Sequence, residues 1–456
     1  MRATRPRTIS TRPKISLFIA GMLIACLIHH NRPVHLRESP MSEPASPQYD
    51  LIIQGGRVVD PAQGLDGIFD IAIRDGRIAA VAPDLSSHEA KSKIPAQGSI
   101  VTPGLIDLHV HVYEYVTNFG VWADDAGVDA GVTTIVDQGS SGAWTFGGFM
   151  AHVVKAARTQ VLAFPSINLL GAIKGGMEGP RLHNPDLVDV EELVKLAADH
   201  PEHVRGFKCH AESGSMSHWG TDVLKVAAEV GRLTGLPLYV HTGELFPVIE
   251  ATRPNTRDVV PAVLPLLKAG DVLAHVYSAM PDGIVGRDED IPEVVHHARA
   301  AGVLFDIGFG VNFSYRIARK MIAAGIYPDT ISSDAHGDFN GYHDDSGMDY
   351  SLCGAMTRLL ALGMPLDKII AATTIRPATV LGAQHRIGSL APGMVANITI
   401  LEPRDGAWDM NDGQFEQITV QTRLIPAKVV LKGEVITPSC RLMRDLLGPG
   451  TALAAE

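Results

Sequence analysis

The sequence predicts an α/β protein: a (β/α)8 TIM barrel with a small β-sandwich domain formed from both chain ends. Three observations predict it. Alternating apolar and polar residues, broken by Gly and Asp turns, fill both flanks of the chain. Between the flanks, short apolar runs alternate with longer amphipathic stretches. Several of those runs end in histidine, lysine or aspartate, where a barrel enzyme carries its site.

The chain of 456 residues is long enough for one large domain and a small one. With 46% hydrophobic and 20% charged residues it has the balance of a globular enzyme. A net charge of −11 argues against nucleic acid as a partner. The expected partners are a small-molecule substrate and further copies of the chain, as a homo-oligomer.

Residues 1–48 form a separate extension. Seven of the 39 basic residues lie in the first forty, against the single acid Glu38. An apolar run from Ile15 to Ile28 has the length of a signal-peptide core and is shorter than a membrane span of about 20 residues. Leu23-Ile24-Ala25-Cys26 fits a lipoprotein cleavage box. His29, His30, Arg32 and Arg37 follow it and argue against export, and Met41 opens a start-like segment. The expectation is a cytoplasmic body beginning near Met41; the alternative is an exported lipoprotein anchored through Cys26. Cys209, Cys353 and Cys440 lie far apart with no C-x-x-C, so no disulfide framework is expected.

Residues 49–102 open the small β domain with YDLIIQGGRVVDP and FDIAIRDGRIAAVAP. Residues 385–438 complete it with VANITIL (395–401) and the stretch from Ile418 to Val435. Residues 439–456 are a tail. Within 103–384 eight candidate strands appear: 104–109, 131–139, 161–169, 204–212, 236–244, 271–278, 303–310 and 329–337. Amphipathic stretches such as 222–235 separate them. An open doubly wound sheet would need a Gly-rich phosphate loop after the first strand, and none is present.

The strand ends carry the chemistry. His109 and His111 are two apart, so they share one face of a strand, and two imidazoles there can reach one ion at about 2.0–2.1 Å. His241 and His275 end two later strands. Lys208 lies mid-strand on the face of Gly206 and His210, with Phe207 and Cys209 directed to the helices. An ammonium inside a barrel is costly unless paired or discharged. It can pair with Glu212 or Asp334, or it can react with CO2 to give an anionic carbamate that bridges two metals. Asp334 shares its face with Ser332 and His336 and suits a general base that later acts as acid.

The segments GLIDLHVH, HVHVYEYVTNFGVWAD, GVTTIVDQGSSGAWTF, LPLYVHTGE, GDVLAH and PDTISSDAHG resemble the amidohydrolase superfamily, and within it the dihydroorotase-like amidohydrolase/deacetylase branch. QGGRVVDP, DIAIRDGRIAAV and LAPGMVANITIL look like its small β domain. The resemblance covers about residues 49–438. It implies a binuclear site with His109, His111 and Asp334 on one metal, His241 and His275 on the other, and carboxylated Lys208 between them. Two divalent ions, zinc by default, are the implied cofactors. Two departures stand out: His210 where that branch is expected to have Arg, and Gly308-Phe309-Gly310 where Gly-His-Gly is expected.

The implied reaction is hydrolysis of an amide or ester bond in a small acylated compound by a metal-bridging hydroxide, with Asp334 moving the proton and Tyr113 helping to polarise the carbonyl. Tyr113, His210 and His336 are candidate substrate contacts. Lys174, Arg181 and Arg287 are candidate cations for a substrate carboxylate. The enzyme alternative is a cyclic amidohydrolase of the dihydroorotase or hydantoinase type. A non-catalytic scaffold is the rival from another class, disfavoured because all six ligand positions are filled.

Overall fold

A computed structural model of the protein describes residues 47–173, 184–285, 291–337 and 349–443. Cys26, Met41, Lys174, Arg181 and Arg287 lie outside the described residues, as does the tail beyond 443. Contacts divide the chain into Met1–Ser46 and Pro47–Glu456, and the description concerns the second unit.

Both flanks contribute to one eight-stranded sheet. Its first part holds β1 (Tyr49–Asp60), β2 (Leu65–Arg74), β3 (Arg77–Ala82), β4 (Ala90–Pro95) and β5 (Ile100–Pro103). The chain then runs through the parallel strands β6 (Leu105–Val110), β7 (Val132–Gln138), β8 (Gln160–Phe164), β9 (Phe207–His210), β10 (Leu238–His241), β11 (Val272–Ala274) and β12 (Leu304–Phe305). It returns to the first sheet with β13 (Ile398–Asn411), β14 (Gln417–Leu431) and β15 (Glu434–Ile436). Antiparallel pairing of β13 with β5 joins the two ends of the chain. Alternation along β1 buries both faces. Leu51 and Ile53 pack with Ile71, Ile398 and Val430, and Tyr49 and Ile52 with Ala72 and Leu85. The pairing of β1 and β2 shifts register between Ile53 and Gly56, and Gly55 takes a φ of 70° there, which a side chain would resist.

The central strands form two parallel sheets, β6-β7-β8 and β9-β10-β11-β12. β6 and β7 are buried at every position, as parallel strands covered on both faces must be. Bridges Ala163↔Val204 and Ser166↔Lys208 link β8 to the β9 segment, and Asp306↔Thr330 and Val110↔Ala335 link 330–335 to β12 and β6. The eighth expected segment, 329–337, therefore makes bridges but no regular strand. Its physical reason is local: Asp334 takes a φ of 52°, which breaks the extended run where the side chain is needed.

The helix Asp222–Thr234 shows how the sequence pattern is used. Val223, Leu224, Ala227 and Val230 recur at helical spacing and are buried. They share a core with Phe207, Cys209, Leu238 and Val240, the outward residues of β9 and β10. Each such aliphatic or aromatic side chain contributes roughly 1.5–3 kcal/mol by burial. Gly235 in the left-handed region ends the helix. The outward residues of β9 are thus taken by the helices, which leaves Lys208 facing inward. Cys209, Cys353 and Cys440 are free. No helix among the described residues is long and apolar enough to cross a membrane.

Candidate metal centre

Strand ends bring the polar residues together. His109 lies on β6 and His111 just beyond it. The His111 amide donates to the Ala335 carbonyl and the Asp334 amide to that of His109, which fastens Asp334 beside the histidine pair. Nε2 of His109 and Nε2 of His111 are 3.2 Å apart. Oδ1 of Asp334 is 3.1 Å from the first and 3.5 Å from the second. One ligand atom from each of these three residues lies within 4.8 Å of the others. Neutral imidazoles and a carboxylate oxygen at such range form a donor set for a divalent ion.

The other residues complete the group. The rings of His241 and His275 are 4.3 Å apart, and that of His275 is 5.4 Å from His109. Lys208 is 1% exposed, with Nζ 3.4 Å from Nε2 of His109 and 4.6 Å from the centre of the Tyr239 ring. It forms no ion pair among the described residues. Glu212, one alternative partner, instead caps the helix Ser213–Trp219 by accepting from the amides of Gly214 and Ser215. Burial pushes the Lys208 ammonium down to about 8, against the opposing pull of Asp334.

Burial also keeps the imidazoles neutral. It lowers His111 to about 3 and His275 to about 4, and holds His109 and His241 well below the usual range, with Lys208 and His275 respectively adding to it. Neutral imidazole is the ligating form. Nδ1 of His275 donates to the Gly308 carbonyl at 2.8 Å, so its Nε2 carries the lone pair; that atom is buried and has no hydrogen-bond partner among the described residues. A buried, unpaired ligand atom beside three others fits a metal site. Nε2 of His241 donates to the Gly243 carbonyl at 3.2 Å, which leaves the lone pair on Nδ1.

A surrounding shell positions these groups. Asp137 accepts from the amides of Val112 and Ser140, and Asp107 from those of His109 and Ser333. Burial raises Asp107 to about 7. Nδ1 of His111 lies 3.0 Å from Oγ of Ser140. The hydroxyl of Tyr239 lies between Nδ1 of His109 and Oδ1 of Asp306. Gly308 and Gly310 lie so close to the site that a Cβ at either would come within 2.5 Å of Nδ1 of His275 or 2.7 Å of Oδ2 of Asp334. Tyr239, Asp306 and Ser140 are absent from the candidates drawn from sequence. Tyr239 was within reach of that reasoning, since it stands two residues before His241 on the same strand face.

The remaining sequence candidates divide. His210 stacks beside His241 with ring centres 5.1 Å apart and beside Phe246 at 5.0 Å. His336 lies 6.4 Å from His111 and 5.5 Å from Tyr350, ring to ring. Both therefore border the ligand group. Tyr113 is turned elsewhere: its hydroxyl donates to the Thr145 carbonyl and its ring packs on Phe149. Phe309, fully buried, packs on Phe313 and under the guanidinium of Arg358.

Comparison with known proteins identifies the family. Residues 100–436 match the model of the amidohydrolase family. Deacetylase Atu3266 of Agrobacterium fabrum is 28% identical over 366 residues, spanning 80% of this chain and 86% of that protein. A deacetylase of Brucella anthropi is 28% identical over 378 residues, spanning 82% and 89%. A crystal structure of a dihydroorotase superposes with a TM-score of 0.74 at 27% identity, covering 85% of this chain and 99% of the other.

Proposed function

The chain belongs to the amidohydrolase family and is a hydrolase acting on C–N bonds, and from that premise we propose that it removes an acyl group from a small N-acyl or O-acyl compound at a two-metal site. The observation that carries the metal reading is the convergence of His109, His111 and Asp334 with Lys208 beside them and an unpaired Nε2 on His275. Members of the family use a binuclear metal centre. Here His109, His111 and Asp334 would hold one ion and His241 and His275 the other. Lys208, as a carbamate formed with CO2, would bridge them. Zinc is the proposed ion. Two divalent ions would supply Lewis acidity and a water that ionises near neutral pH.

The chain's own residues do the rest. Asp334 accepts a proton from the attacking water and delivers it to the leaving nitrogen or oxygen. The imidazoles, held neutral by burial, keep their lone pairs available. His210 and His336 border the space a substrate would occupy. Tyr113 would need to leave the Thr145 carbonyl to reach a substrate. The deacylase reading rests on the two deacetylase relatives. Cyclic amide hydrolysis is a second reading, favoured by the dihydroorotase likeness.

The proposal extends to architecture. We read the two parallel sheets and their four bridges as one closed (β/α)8 barrel over residues 103–384, and the sheet from 49–102 and 385–438 as a small β-sandwich beside it. Their support is the cyclic order of the bridges and the two buried faces of β1. The body is cytoplasmic in this proposal; a diacylglyceryl-modified Cys26 in the native protein would overturn that. The test of function is a hydrolysis screen of zinc-loaded protein against N-acetyl amino acids, acetylated hydroxy acids and cyclic ureides. An acylated compound should be turned over fastest; a cyclic ureide as best substrate would decide for the second reading.

A further inference from the structure

We propose that Asp306 sets the orientation and tautomer of two ligating histidines at once, reaching His109 through the hydroxyl of Tyr239 and His275 through the peptide of Gly308. The inference rests on the two-metal reading and adds positioning residues to it.

With Asp306 ionised, the geometry favours one placement of protons. Asp306 is fully buried just after β12. Its Oδ1 lies 2.8 Å from the Tyr239 hydroxyl and 2.7 Å from the Gly308 amide; its Oδ2 lies 2.5 Å from Oγ1 of Thr330, and the Ser332 hydroxyl also donates to Oδ1. Three donors thus meet Oδ1 and one meets Oδ2, an acceptor-only arrangement that suits the ionised carboxylate. Tyr239 has one proton. Given to Asp306, it leaves the phenol oxygen to accept, and the group 3.0 Å away is Nδ1 of His109. His109 must then carry its proton on Nδ1, and its Nε2 lone pair faces His111, Asp334 and Lys208. The opposite placement sets the phenol oxygen against Oδ1 at 2.8 Å with no proton between two acceptors.

The second arm leaves the same carboxylate. Asp306 holds the Gly308 amide, and the carbonyl of Gly308 accepts from Nδ1 of His275 at 2.8 Å. That fixes the free Nε2 of His275. A ligating histidine is usually oriented by a carboxylate or carbonyl on its other nitrogen, and loss of that partner weakens metal binding about 10–100-fold. Here one carboxylate serves a histidine of each proposed metal position, with a phenol interposed in one arm.

Tyr239→Phe keeps the ring beside Lys208 and deletes only the hydroxyl. Zinc affinity would be read by chelator competition, and thermal unfolding with and without zinc. The expected result is affinity about 10–100-fold weaker, with apo-protein melting close to wild type and a smaller stabilisation by zinc. A purely structural tyrosine would lower apo melting and leave zinc affinity intact, which overturns the relay. Asp306→Asn should weaken zinc binding further, because it loosens both arms; an equal or smaller effect than Tyr239→Phe overturns the shared role. Should Asp306→Asn not fold, Tyr239→Phe alone decides. Wild type that binds no divalent ion would overturn the two-metal reading itself, whereas wild type holding two ions with a Tyr239→Phe variant of equal affinity overturns only the relay.

Discussion

Asp306 and Asp334 are both buried carboxylates, one just after β12 and one in the bridged segment that follows, and their surroundings are opposite. Asp306 accepts from a phenol, two hydroxyls and an amide. Asp334 has two imidazole nitrogens near Oδ1, and among the described residues no hydroxyl or amide donates to it. Four donors fix the Asp306 carboxylate as a strut and oppose the burial that pulls its pKa up from the usual range. A carboxylate with open lone pairs is available for an ion or a travelling proton. The backbone repeats the contrast: Asp334 sits at a φ of 52°, a conformation that non-glycine residues adopt at some cost where function requires it. Burial alone therefore does not mark a working acid; the count of donors around it does.

The comparison breaks most visibly through Lys208, which stands beside the open group. Lys208→Ala should lose metal and activity together, leaving hydrolysis at background, with partial rescue by acetate or another short carboxylic acid. Metal analysis and turnover measure it. A variant with two metals per chain and normal turnover would remove the proposed bridge. Next in size is Asp334→Asn, which keeps the shape and loses the proposed base. Turnover should fall by about 10²–10⁴, the usual contribution of general acid–base catalysis, while much of the metal stays. Asp306→Asn should show the reverse order of effects, metal affinity first. If the two variants behaved alike, the distinction between strut and base would be gone.

Much of this site is legible in the sequence because strand periodicity is simple. His109 and His111 share a face, and Lys208 is flanked by Phe207 and Cys209, which the helices claim. The flanking sheet is legible for the same reason, from alternation in β1 and β13. Less was available for the eighth segment. Its run DTISSDAHG reads as a strand, yet the turn at Asp334 depends on bridges to β6 and β12 that no local pattern encodes. Asp306 also escaped, since its donors come from Tyr239, Thr330 and Ser332, far apart in sequence. Tyr113 lies beyond the end of β6 at Val110, where alternation no longer governs direction, and its hydroxyl donates to the Thr145 carbonyl.

Acid should expose the shared dependence of the histidines on neutrality. Their pKa values are lower in the folded protein than the unfolded value of about 6.5. The unfolded chain therefore binds more protons below that pH, and folded apo-protein loses stability as pH falls from about 6.5 towards about 4, His275's folded value. Each unit of pH costs about 1.4 kcal/mol per such imidazole, read as a drop in the urea midpoint. Asp107 and Glu212, raised by burial to about 7 and about 8, take up protons in the folded protein and oppose this loss; a midpoint that rises as pH falls from 7 to 5 would mean that these acids outweigh the rings. Gly308→Ala tests the backbone side. Its φ of 43° and the 2.5 Å approach to Nδ1 of His275 predict a loss of about 1–2 kcal/mol from the backbone alone, seen as a lower melting temperature with weaker zinc binding. Full zinc affinity in that variant would show that the placement of His275 does not depend on this close backbone approach.

His210 should give the smallest effect, because it lies outside the ligand group and against its edge. Its ring stacks beside His241 and Phe246, and it is only partly buried. The sequence resemblance leads to an arginine at this position. His210→Arg would bring a permanent planar cation to the border of the site, able to grip a carboxylate through two parallel hydrogen bonds. Metal content should stay at the wild-type value. KM for an acylated acid should fall by about tenfold, the worth of one charge-assisted hydrogen bond, relative to KM for the matching amide with no carboxylate. Equal KM values for the two substrates would place His210 beyond reach of substrate. Loss of metal from the variant would instead make His210 a support for the His241 ring, which its own ring contacts at 5.1 Å between centres.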